Sequence, residues 1–153
     1  MLGGMISDLE IGDEFEPIRY TVTSLMTAEY AHGVEEEGEW FYSDGNELGR
    51  QARIPLMVHA DKMRLLEVNC PREARLSGVR GADARVHYEY HARHRSVAYV
   101  GEELVVTGRI LERYVKRNRV YLHYEMEVKT AEGRLVTEYT DRTVLKYRQG
   151  ELA

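Results

Sequence analysis

The sequence predicts an α+β domain in which one long antiparallel sheet curls around a single central helix. Three observations carry that expectation. Residues 57–70 are amphipathic at helical spacing and stand between Pro55 and Pro71. Nearly everything after residue 84 alternates apolar and polar side chains with the period of a strand, in runs of about 11 to 14 residues. The chain has 153 residues, 43% of them apolar, so one core can be buried without disulfides, and its single cysteine, Cys70, forms none internally.

The elements follow in order. Residues 15–22 read as a strand, with Pro17 fixing its start at an edge. Thr23 or Ser24 caps a helix over 25–33 that carries Leu25, Ala28 and Tyr30 on one stripe. An acidic stretch at 35–39 runs into three adjacent rings, Trp40, Phe41 and Tyr42, and then into a turn at 43–45. The central helix presents Leu56, Ala60, Met63, Leu65 or Leu66, and Cys70 as a broad apolar face, and Asp61 suits its positive start. Val86, Tyr88 and Tyr90 alternate with Arg85, His87, Glu89 and His91 in the next strand. After a break at Val100-Gly101-Glu102, a strand runs to about residue 116, and Asn118 marks a hairpin. Val120, Leu122, Tyr124, Met126 and Val128 then alternate with polar partners, Ala131-Glu132-Gly133 turns the chain, and 135–147 is the last strand. The tail after Arg148 is expected to be loose. All of this fits one domain, 1–153, with its core in about 10–147. A sheet around one helix leaves a face and an edge uncovered, so a homodimer is the default.

Charge is lopsided. Residues 1–47 hold twelve acids and one arginine, while 48–153 hold fourteen acids and twenty bases, for a net of −5. An acidic first third without a helix-turn-helix or zinc pattern speaks against nucleic acid. No basic segment followed by an apolar run opens the chain and no 18-residue apolar stretch occurs, so neither a signal peptide nor a membrane partner is expected. With one cysteine, a reducing, cytoplasmic setting fits.

Three passages resemble a known family. They are Ile11-Gly12-Asp13-Glu14-Phe15 before the first strand; Val86-His87-Tyr88-Glu89-Tyr90-His91 followed by Val100-Gly101-Glu102-Glu103-Leu104; and Thr107-Gly108-Arg109-Ile110, Lys116-Arg117 and Ala131-Glu132-Gly133-Arg134-Leu135-Val136 in the closing hairpins. In order and spacing, over roughly 10–147, they resemble the MaoC-like dehydratase/hydratase group of the hot-dog fold, close to its N-terminal-type domains. The resemblance implies a substrate carried as a thioester of coenzyme A or acyl carrier protein, with no further cofactor. The acyl chain would lie beside the central helix at a dimer interface. It also implies an Asp and a His from a D-x-N-P-x-H loop, serving as acid and base on water and the alkene carbon. A thioesterase and a non-catalytic thioester-binding subunit, paired with a second hot-dog chain in a split hydratase, are the alternatives.

The sequence departs from that loop. Asp44-Gly45-Asn46 keeps D-x-N, but Glu47-Leu48-Gly49 follow, and the nearest histidine is His59 at the helix start. The catalytic candidates are therefore His59, Asp61 and Asp44, set against plain helix-start and turn roles. Asn46, Glu47, Trp40, Phe41 and Tyr42 are substrate-binding candidates, or else a turn and a lid over the core. Arg93, Arg95, Arg117 and Arg119 are candidates for the carrier's phosphates, since guanidinium binds phosphate bidentately. No metal is expected: His87 and His91 would share a strand face about 13 Å apart, too far for one ion. Cys70, at a helix end, reads as a structural thiol rather than a nucleophile.

Overall fold

The computed structural model describes residues 4–71 and 85–148; the expected loose tail after Arg148 lies outside them. Five strands, β1 (Ile18–Thr21), β2 (Arg85–His94), β3 (Glu103–Lys116), β4 (Arg119–Thr130) and β5 (Leu135–Arg148), form one sheet in the order β1-β3-β4-β5-β2. Every neighbouring pair is antiparallel. Among the described residues, two α-helices, α1 (Ser24–Gly33) and α2 (Val58–Asn69), lie between β1 and β2 in sequence.

β4 is the middle strand and behaves as its alternation predicts: Val120, Leu122, Tyr124, Met126 and Val128 are buried, with half-exposed residues between them. The turn into β4 places Arg117 and Asn118 at φ of 52° and 59°, the two left-handed positions of a type I′ hairpin. Gly108 in β3 is required by close approach: a Cβ there would stand 2.6 Å from the Glu125 carbonyl oxygen and 3.0 Å from the Phe15 ring. That gap lets Phe15 and Leu65 pack directly onto the sheet.

The strong curl expected of the sheet is not found. Among the described residues the sheet is open, with β1 and β2 at its two edges. β1 has four residues and pairs only with residues 103–106 of β3, so it is too short to fold back around a helix. α2 instead lies against one face. Its first turn meets β2 and β5 through His59 and Lys62, and its last turn meets the chain before β1, where the Asn69 amide exchanges hydrogen bonds with the backbone of Glu16.

The buried side of α2 also differs from the expected stripe. Val58, Asp61, Lys62, Leu65, Leu66 and Asn69 face inward, whereas Leu56 and Met63 are 45% and 40% exposed. Three of the six inward residues are polar, and each has a partner outside the helix. Helical spacing is intact; pairing of buried polar groups chose the phase.

β2 breaks the expected alternation. Its register against β5 shifts between His87 and Glu89, a β-bulge centred on Tyr88. His87 faces Thr143 and Tyr90 faces Asp141, both on the buried side of β5. His91 falls opposite Thr140 and bonds Glu89 at 2.8 Å on the outer face. His87 and His91 therefore point to opposite sides of the sheet.

Candidate functional site

The site is built around the entrance to α2. Thr27 of α1, fully buried, donates its hydroxyl to the Ala52 carbonyl (3.1 Å) and accepts from the Ile54 amide (3.0 Å). Arg53 donates its amide to the Ala98 carbonyl (2.7 Å), so residues 51–54 run as an extended link between α1 and the segment before β3. Pro55 then opens a single 3-10 turn, Pro55–Met57, whose fixed φ leads directly into α2.

Two polar clusters meet there. In the first, the buried Arg53 guanidinium pairs with the Asp61 carboxylate, and the Tyr20 hydroxyl donates to the other Asp61 oxygen at 2.5 Å. Burial pushes the Asp61 carboxyl up against the pull of Arg53. Burial, with the Asp61 charge beside it, also pushes the Tyr20 phenol up.

The second cluster converges on Asp141, whose side chain is 1% exposed. One carboxylate oxygen, Oδ2, receives the Tyr139 hydroxyl at 2.7 Å and stands 2.7 Å from His87 Nε2 and 3.4 Å from Lys62 Nζ. The other, Oδ1, is buried and has no hydrogen-bond partner among the described residues. His59 packs edge-on against Tyr90 (ring centroids 4.8 Å) and Tyr139 (5.7 Å), and lies 6.3 Å from His87. Burial holds the His59 imidazole below the usual histidine range, reinforced by Lys62 and opposed by Asp141. The Tyr139 phenol is raised by burial and by its bond to Asp141.

A cavity of about 360 Å³ opens beside these clusters. Trp40, Phe41 and Leu48 form one wall, Pro55 and Arg53 the entrance to α2, and His94, Val97 and Thr137 the sheet side. His94 bonds the Thr137 hydroxyl at 3.1 Å, and burial together with Arg53 lowers its imidazole. Thr137, in the cavity wall, lies on the same buried face of β5 as Tyr139 and Asp141, the last of them about 13 Å further along the strand.

Solved structures with this architecture are numerous. A MaoC-like dehydratase from Rhodospirillum rubrum superposes with a TM-score of 0.70, at 18% identity over 94% of this chain and 97% of that one. The R-hydratase PhaJ1 from Pseudomonas aeruginosa gives 0.70 at 12% identity, covering 91% and 83%. The HadBC 3R-hydroxyacyl-ACP dehydratase complex from Mycobacterium tuberculosis gives 0.66 at 16% identity, covering 88% and 96%. The chain has the MaoC-like hot-dog fold. No protein-family model matches the sequence, and no curated protein sequence does.

Within the MaoC-like fold, the residues singled out from sequence separate. His59 and Asp61 both sit in the first turn of α2 but join different clusters: Asp61 faces Arg53 and Tyr20, His59 faces Tyr90 and Tyr139. Asp44 and Asn46 lie in the loop before them. Asp44 accepts the Gln51 amide (2.8 Å), and the Asn46 side chain ties Ser43, Leu48 and Arg50 together. Glu47 is exposed. Trp40 and Phe41 line the cavity, while the Tyr42 hydroxyl turns back to the Glu36 carbonyl. Arg95 also borders the cavity and pairs with Glu138, whereas Arg93 lies on the outer face. Arg117 and Arg119 stand at the far hairpin; Arg93 is level with Glu127 of β4 through Glu138, eight residues from Arg119, so the two groups lie on the order of 30 Å apart. The two arginine groups therefore cannot grip one carrier molecule on the same protomer.

Registering the D-x-N-P-x-H pattern on Pro55, the proline that leads into α2, puts Ala52, Ile54 and Met57 at its Asp, Asn and His positions. All three are buried and apolar.

Sequence reasoning missed Arg53, Lys62, Tyr90, Tyr139 and Asp141. Asp141 left a signal. It is the one charged residue in the inner phase Leu135, Thr137, Tyr139, Asp141, Thr143, Leu145.

Proposed function

We propose that the protein binds an acyl thioester of coenzyme A or acyl carrier protein and processes it as a hydratase/dehydratase of the MaoC-like type. The observation that carries this reading is the apolar cavity beside the start of α2, walled by Trp40 and Phe41, with a histidine- and carboxylate-bearing cluster on the same face of β5 as its Thr137. An acyl tail fits the apolar wall, and the thioester end would meet the polar groups. His59 and Asp61 belong to this site as proton-handling and positioning candidates. Asp44, Asn46, Glu47 and Tyr42 shape the loop that carries Trp40 and Phe41. Of the four candidate arginines, Arg93 and Arg95 are the two on the cavity's end of the sheet.

A second reading is a non-catalytic thioester-binding subunit that pairs with another hot-dog chain. Ala52, Ile54 and Met57 favour it, because none can move a proton. Homodimerisation is part of the first reading. It is supported by the outer edge of β2, which pairs with no other described strand and exposes Val86, Tyr88 and Tyr90. Among the described residues, no helix is long and apolar enough to cross a membrane.

The test is a panel of enoyl-CoA, 3-hydroxyacyl-CoA and saturated acyl-CoA substrates with the purified protein. Hydration or dehydration is expected. Thiol release from saturated acyl-CoA would instead indicate a thioesterase, and saturable binding without turnover the non-catalytic subunit. Absence of both binding and turnover would contradict the thioester reading.

A further inference from the structure

We infer that His87 and Asp141 form the proton-transfer pair of this protein, with His87 as the catalytic residue and Asp141 as its positioning residue. This rests on the thioester reading and supplies the chemistry that Ala52 and Met57 cannot.

The sheet itself builds the pair. Without the bulge at Tyr88, strict alternation could not put both His87 and Tyr90, three residues apart, on the inner side of β2. With it, His87 Nε2 comes to 2.7 Å from a carboxylate that is almost wholly buried, while the His87 side chain itself stays 31% exposed. A carboxylate that accepts the Nε2 proton fixes the imidazole tautomer, leaves the basic lone pair on Nδ1, and stabilises the imidazolium once a proton is taken. Tyr139 and Lys62 hold the same Asp141 oxygen from β5 and α2, so the carboxylate cannot swing away. Its second oxygen is buried and meets no hydrogen-bond donor among the described residues. His59 has no carboxylate within hydrogen-bond distance among its described contacts, and it lines the approach together with Tyr90.

The step balances with water as the only co-reactant. His87 takes a proton from water as the water oxygen bonds to C3 of the enoyl thioester. The C2=C3 π pair moves to C2, and the imidazolium returns the same proton there. One O–H and one π bond break; one C–O and one C–H bond form; nothing is oxidised or reduced. Dehydration is the reverse. The charged and titratable groups facing His87 are Asp141 and Tyr139 from β5, Lys62 and His59 from α2, and Tyr90 from its own strand.

The experiment is hydration of crotonyl-CoA by the full chain, followed across pH. His87→Gln is expected to lower kcat by a hundredfold or more with crotonyl-CoA binding changed less than threefold. Asp141→Asn is expected to lower kcat about tenfold or more and to move the acid limb of kcat/KM to lower pH, because the imidazolium loses its carboxylate. A structural role alone would not shift that limb. His91→Gln, on the outer face, is expected to stay within twofold of the parent. If Asp141→Asn fails to fold, His87→Gln, at a partly exposed side chain, decides alone. Turnover by His87→Gln above a third of the parent rate would overturn the pair and leave the thioester reading standing. If the parent binds crotonyl-CoA without turnover, the pair is overturned and the non-catalytic reading remains; if it neither binds nor turns over any thioester, both proposals fall.

Discussion

Arg53 and Asp61, eight residues apart and on either side of the 3-10 turn, form an ion pair buried from solvent on both sides, with side chains 1% and 4% exposed. The pair closes the entrance to α2 and shares Asp61 with Tyr20 of β1, so it ties the helix to the sheet edge. Breaking one partner strands a charge in the interior. Arg53→Ala and Asp61→Ala are each expected to lose about 3–5 kcal/mol in urea denaturation. Arg53→Ala with Asp61→Ala together is expected to lose clearly less than the two singles added together. Additive losses would mean that the two side chains act independently.

Thr27 joins α1 to the link before α2 with two hydrogen bonds made by one hydroxyl. Thr27→Val keeps the shape and removes both, leaving the Ile54 amide without its partner in a buried site. The expected loss is about 1–3 kcal/mol, read from the denaturation midpoint at unchanged m-value. A loss below a few tenths would mean that water or the backbone replaces the hydroxyl.

Gly108→Ala brings a methyl group to 2.6 Å from the Glu125 carbonyl, where backbone rather than a flexible side chain must yield. A destabilisation of about 1–3 kcal/mol is expected, visible as a fall of several degrees in Tm. An unchanged Tm would show that β3 and β4 can spread there without penalty.

The imidazoles of His59 and His94 are both held below the usual histidine range, chiefly by burial. The sign follows from proton counting. Between the ordinary histidine pKa of about 6.5 and the lower folded values, the unfolded chain binds more protons than the folded one. Stability is therefore expected to fall as pH drops below about 6.5 and to be insensitive to these groups above it. Urea midpoints at pH 7.5 and 5.5 check this. His59→Gln with His94→Gln should flatten the difference; an unchanged difference would assign the pH dependence to other groups.

Trp40 is the one tryptophan of the chain and stands in the cavity wall. Titration with butyryl-CoA is expected to change its emission saturably, and free coenzyme A to change it much less. Equal responses to both would put the bound acyl group somewhere other than beside Trp40.

Much of this fold was legible because local patterns and tertiary demands agree. β4 alternates in sequence and in burial, and Thr23 caps α1 through its hydroxyl to the Met26 amide. The central helix lies where its flanking prolines set it. Its inward face was not legible. Leu56 and Met63 are apolar by type, while Asp61 and Lys62 turn inward for partners on β1 and β5, and Lys62 meets Asp141 across 79 residues of sequence. No window along the chain contains such a pairing. The bulge at Tyr88 was hidden for a similar reason: one inserted residue leaves the composition of β2 unchanged and alters which of its side chains meet α2. The curl failed on length, since a four-residue edge strand cannot wrap a helix. The candidate site suffered most, because it is made where α2, β2 and β5 meet rather than within one motif.

The most direct measurement is a crystal structure of the protein with bound butyryl-CoA. The expected result is an acyl chain against Trp40 and Phe41, with its thioester end turned along β5 toward His87 and Asp141. An acyl chain bound elsewhere, with the Trp40 cavity unchanged, would contradict the account.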